Sequence, residues 1–111
     1  MSSPRLEQLK NFLESSPNDS FILFAIAKEY EGLGMEEKAL SYYLKLTELD
    51  PDYVGTYYHL GKLYERQEQF ATAFQTYKTG MLVAQKAGDQ HALGELAGAK
   101  LNLGDDEDFE E

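Results

Sequence analysis

A recurrence at 34 residues constrains this chain more than any other feature. The segment from Tyr57 to Tyr77 places Leu60, Gly61 and Tyr64 on one stretch, then Ala73, Phe74 and Tyr77 on the next. One period earlier the same order returns as Leu23, Ile26, Ala27 and Tyr30, followed by Ala39, Leu40 and Tyr43. Pro51 likewise falls one period after Pro17. Each pair preserves size class or identity, which a lone Leu-Gly pair could not establish. Spacings of one, three and four put Leu60, Gly61 and Tyr64 on one face of a helix. Small residues at Gly61 and Ala27, and at Ala73 and Ala39, let a neighbouring helix approach, and the aromatics fill the space left open.

This bulky–small–aromatic order resembles the tetratricopeptide repeat family, a helix–turn–helix unit of 34 residues. The resemblance extends over nearly the whole chain up to its acidic end. It implies an all-α fold of antiparallel helix–turn–helix repeats stacked as a short right-handed solenoid of about six helices.

The sequence supplies boundaries for such a domain over residues 1–104. Residues 5–16 form an amphipathic half-repeat helix, with Leu6, Leu9, Phe12 and Leu13 on one stripe. Repeat one covers 20–53, its helices at 20–33 and 35–49 separated by Gly34 as a left-handed terminator. Repeat two covers 54–87, with helices at about 53–66 and 70–87. Glu68 stands where repeat one has Gly34, and Gln85 stands where it has Pro51. Lacking that breaker, the second helix runs on to Gly88 and Asp89. A closing helix follows at 89–103. Two repeats alone are marginal, and the flanking helices complete the stack. The tail at 105–111 is dense in acid with a single apolar residue, Phe109, and is expected to be disordered. Gly61, Gly80, Gly94 and Gly98 fall inside helices and read as sites of close packing.

Composition narrows the function. The net charge is −10; the tail supplies −6 of it, leaving −4 for the rest. A nucleic-acid backbone or an anionic membrane surface is not an expected partner. No apolar run is long enough for a membrane span, and the N-terminal residues lead into a polar amphipathic segment, so a cytoplasmic location is expected. There are two histidines and no cysteine. No nucleophile–base–acid set and no local ligand cluster can be assembled from the spacing, so no catalytic residue, metal or cofactor is expected and the chain is not expected to be an enzyme.

The resemblance implies that the first helices of successive repeats line a concave groove. Outside the core stripe, the first helix of repeat one carries Phe21, Phe24, Lys28 and Glu31. One period on stand Tyr58, Lys62 and Glu65, with His59 beside them, and the closing helix offers His91 and Glu95. An aromatic, a lysine and a glutamate thus recur on this flank. Family members that hold chaperone tails grip a terminal carboxylate with lysine and asparagine. Here Phe24 and Lys28 occupy the places of the first lysine and asparagine, His59 that of a second asparagine, and His91 and Glu95 those of a lysine and an arginine. The clamp is not carried over. The expected function is a non-enzymatic interaction module binding a peptide or protein segment of apolar and acidic character, with basic residues at its edge drawn by Glu31 and Glu65. The alternative is a self-associating structural protein, a homo-oligomer with no separate ligand.

Overall fold

The computed structural model describes residues 3–109. Among them are six α-helices, one short 3-10 helix and no strand. The chain divides into two compact units, one up to Tyr53 and one from Val54 onward.

The first unit contains α1 (Pro4–Ser15), α2 (Ser20–Gly32) and α3 (Glu36–Leu49). Ser3 caps α1, its hydroxyl accepting from Leu6 N–H at 3.0 Å, and Pro4 takes the first turn, where its missing N–H costs nothing. Asp19 caps α2 through Ile22 N–H at 3.1 Å. The buried face of α2 is Leu23, Ala25, Ile26, Ala27 and Tyr30, and α3 meets it with Ala39, Tyr43 and Leu46. Ser20 Oγ donates to the Asp50 carboxylate at 2.5 Å, tying the start of α2 to the end of α3. The α1 stripe is narrower than expected: Leu6 and Leu9 are buried, but Phe12 is 62% exposed and Leu13 only half-buried.

The second unit contains α4 (Gly55–Arg66), α5 (Phe70–Ala87), α6 (Gln90–Leu103) and the 3-10 helix Asp106–Phe109. One buried cluster joins Tyr57, Ala73, Tyr77, Ala84, Leu96 and Ala99, and Leu60, Leu63 and Phe74 are buried as well. Asp89 caps α6 through Ala92 N–H at 3.0 Å. Helix α5 is 18 residues long against 14 for α3. It ends at Gly88, whose φ of +73° is the left-handed stop. The loop between α4 and α5 copies the one between α2 and α3 although its sequence differs. Glu68 adopts φ +59° where Gly34 has +76°. Gln69 N–H donates to Tyr64 C=O at 2.9 Å, as Met35 N–H does to Tyr30 C=O at 2.9 Å.

The four helical glycines separate into two kinds. A Cβ on Gly61 would stand 2.2 Å from Tyr77 Cε1, and one on Gly80 would stand 2.5 Å from Tyr57 Cβ. These are close crossings. Gly94 and Gly98 would meet nothing within 4 Å, so the packing expected of them is absent. The tail also departs from expectation. Over its described part it folds into the 3-10 helix Asp106–Phe109, and Phe109 stacks on Phe74 with ring centroids 4.3 Å apart. An aromatic surface on α5 supplies the burial that the tail's composition alone does not.

Candidate functional site

On α2, Phe21, Phe24 and Lys28 come together with Ala25, Glu29 and Arg5 of α1 around a cleft of about 450 Å³. Phe21 is 65% exposed. Phe24 is half-buried, its ring 6.2 Å from that of Tyr43 and 5.4 Å from that of Tyr53. Lys28 Nζ lies over the Phe24 ring at 5.6 Å, a cation–π distance. Arg5 Nε sits 3.5 Å from the Glu29 carboxylate, which also accepts from Ser3 Oγ at 2.9 Å. Arg5, Ala25 and Glu29 were not among the residues singled out from the sequence. Ala25 and Glu29 follow Phe21 and Phe24 at helical spacings, which is the signal available. Arg5 had none, because the apolar stripe of α1 does not say which polar residue at its edge reaches Glu29.

The second unit rebuilds the same local motif on α4. Lys62 Nζ lies over the Tyr58 ring at 5.6 Å, and that ring is 6.5 Å from Tyr77. His59 meets Tyr58 edge to face at 5.9 Å. Lys62 Nζ is also 3.7 Å from the Glu65 carboxylate.

The two glutamates, both half-buried, each reach across to the second helix of their repeat. Glu31 accepts from the Tyr43 hydroxyl and Glu65 from the Tyr77 hydroxyl, each joining the two helices of its own repeat. Burial and then the Glu65 carboxylate push the Tyr77 phenol far above its ordinary range, since both disfavour phenolate. The last two candidates stand apart: His91, 87% exposed in its side chain, lies 3.8 Å from Glu95 within α6 itself. Neither lines the cleft. Tyr42 and Tyr53 are half-buried, Tyr42 against the Tyr30 ring at 5.7 Å. Among the described residues no group of His, Asp and Glu is arranged to hold a metal ion, and no helix is long and apolar enough to cross a membrane.

Helix pairs that repeat every 34 residues, closed by the same tyrosine–glutamate bond and built on the same small residues, define an α-helical repeat protein. Two tetratricopeptide repeat models match, over residues 22–53 and 42–75. A tetratricopeptide repeat domain protein from Salinibacter ruber is similar in its crystal structure, at 47% identity and TM-score 0.75, covering 77% of this chain and 94% of that one. Protein BPP2914 from Bordetella parapertussis is 27% identical with TM-score 0.78, over 93% of this chain and 89% of that one. The TPR repeat-containing protein PA0015 of Pseudomonas aeruginosa is 28% identical over 91 residues, 82% of this chain and 87% of its own length. The chain belongs to the tetratricopeptide repeat family. Domains of this family are generally protein-interaction modules and non-enzymatic scaffolds.

Proposed function

We propose that the chain is a non-enzymatic interaction module that binds peptide or protein segments on the first helix of each repeat. Phe21, Phe24 and Lys28 carry the contact in the first unit, and Tyr58 and Lys62 in the second. The observation that supports this is the cleft beside Phe21. A phenylalanine 65% exposed at the edge of a 450 Å³ opening, with Lys28 and Arg5 on its walls, suits an apolar side chain flanked by a carboxylate. Glu31 and Glu65 each hold a tyrosine hydroxyl of the next helix, and Glu65 also lies 3.7 Å from Lys62 Nζ, so their carboxylates are shared between the repeat and any basic residue at the edge.

The test is a peptide array of apolar–acidic segments probed with the wild-type chain, with Lys28→Glu combined with Lys62→Glu, and with Phe21→Ser. Binding that is lost in both variants, with the helical signal and melting temperature unchanged, supports the reading. Binding that survives the double charge reversal removes this face from consideration.

A second reading, self-association, has one observation of its own. Gly94, Gly98 and the 73% exposed Leu101 leave a smooth apolar strip on α6 with nothing packed on the glycines. Sedimentation over a range of concentrations separates the two readings, since the first expects a monomer throughout.

A further inference from the structure

The described end of the chain is organised in a way that its charge does not explain. Gly104 leaves α6 at φ +147°, and a Cβ there would stand 2.5 Å from Asp108 Oδ2, so the turn requires glycine. Asp105 and Asp108 then hold each other. Asp105 N–H donates to the Asp108 carboxylate at 2.9 Å, and Asp108 N–H donates to Asp105 C=O at 3.1 Å. Glu107 N–H donates to the Asp105 carboxylate at 3.1 Å. This local frame fixes Asp106 and Phe109.

Both are aimed at one spot on α5 and α6. The Phe109 ring stacks on Phe74 at 4.3 Å with an interplanar angle of 23°. The Asp106 carboxylate lies 3.7 Å from Lys78 Nζ and 3.5 Å from Lys100 Nζ. Lys100 Nζ is also 4.8 Å from the Phe74 ring centroid. Beneath this contact Phe74 is only 1% exposed. Aromatic stacking beside two cations that share one carboxylate is recognition of a sequence, an aspartate followed three residues later by a phenylalanine.

The grip is nevertheless light. The Lys78–Asp106 pair is solvent-exposed and the Lys100 pair is exposed on its Asp106 side, and pairs open to water contribute little and are weakened by salt. A four-residue 3-10 helix has little stability of its own. Next to the contact lies a cleft of about 290 Å³ lined by Met81, Leu82 and Leu93, whose rim the described tail touches only at Asp106. A longer segment can add apolar contact there.

We propose that Phe74, Lys78 and Lys100 form a receptor for an acidic segment of a partner protein carrying Asp-x-x-Phe, and that Asp106–Phe109 occupies it in cis as a displaceable plug. The partner gains over the tail by reaching the Leu82–Leu93 cleft with an apolar residue. Tethering gives the tail a high effective concentration, so the receptor opens only to a partner that exceeds it. This inference does not rest on the cleft of the first unit.

The test uses full-length chains and a fluorescent peptide with the sequence of residues 104–111, read by anisotropy. The chains are wild type, Phe109→Ala, and Phe109→Ala combined with Lys78→Glu and Lys100→Glu, each checked for unchanged helical signal. Removing the plug should tighten peptide binding about tenfold or more relative to wild type. The charge reversals should abolish it, and added salt should weaken it. Equal binding by wild type and Phe109→Ala, or no binding to the folded Phe109→Ala chain, overturns the proposal. So does a wild-type dimer that Phe109→Ala dissolves, because the tail would then serve a second copy rather than a partner.

Discussion

The ring of Tyr77 fills the space that a side chain on Gly61 would need. A Cβ there would lie 2.2 Å from Cε1 of that ring, and the ring cannot swing aside freely because its hydroxyl is bonded to Glu65. Gly61→Ala should therefore destabilise by about 1–3 kcal/mol through overpacking, even though alanine is the better helix former. Gly61→Leu should cost more. Urea midpoints of the two variants check this, and an unchanged midpoint for Gly61→Leu would mean the crossing is looser than described. One period earlier the first unit seats a methyl at Ala27, fully buried.

The Tyr77–Glu65 bond has a signature in alkali. The phenol's pKa is raised in the folded chain, so its contribution is fully present below pH about 10, the ordinary tyrosine value. Above it the unfolded chain loses the proton while the folded chain keeps it, and stability falls as pH rises. Tyr77→Phe should lower stability near neutral pH by about 1.5–3 kcal/mol, the scale of a hydrogen bond to a charged acceptor. It should also flatten the decline above pH 10 relative to wild type. Parallel slopes from pH 8 to 11 would show that Tyr77 does not carry the effect. Comparison with the variant cancels Tyr53 and Lys10, whose pKa values are also raised.

Glu68 holds a left-handed backbone that its partner in the first unit gives to a glycine. Relief of that strain, about 1–2 kcal/mol, outweighs the entropy that glycine loses on folding. Glu68→Gly should raise stability by about 0.5–1 kcal/mol. Thermal melts of wild type and variant decide the sign.

The α1 stripe offers a paired test. Leu9→Ala removes a buried side chain and should cost about 2–5 kcal/mol. Phe12→Ser alters an exposed ring and should stay within about 0.5 kcal/mol of wild type. Equal losses in the two variants would mean that Phe12 is buried after all.

The 34-residue recurrence made the helices and much of the core legible, because small and aromatic residues at fixed spacing admit few packings. Leu23, Ile26, Ala27, Tyr43, Leu60 and Tyr77 are all buried. Periodicity was less informative at the ends, where no second copy exists for comparison. Phe12 continued the apolar spacing of α1, but helix α2 covers only Leu6 and Leu9. Gly94 and Gly98 resembled crossings because glycine in a helix usually marks one, yet no helix approaches them. Residues 110–111 lie outside the described residues, and composition said little about the described part of the tail. Its net charge argued for disorder, while the Asp105–Asp108 reciprocal cap and the Phe109 anchor depend on order within four residues, which composition averages away. The candidate site was legible in its aromatic–lysine pairs. The tyrosine bonds of Glu31 and Glu65 were not, because a helical wheel places the glutamates on the flank without saying how far a tyrosine on the next helix can reach.

The clasp between tyrosine and glutamate joins residues only 12 positions apart in each unit. Closing so short a loop costs little entropy, and contacts of that kind form early. During synthesis, α2 and α3 are complete before α4 has been made, and the Tyr43–Glu31 bond needs nothing that comes later. The nascent chain can therefore bury its aromatics one hairpin at a time as it emerges from the ribosome.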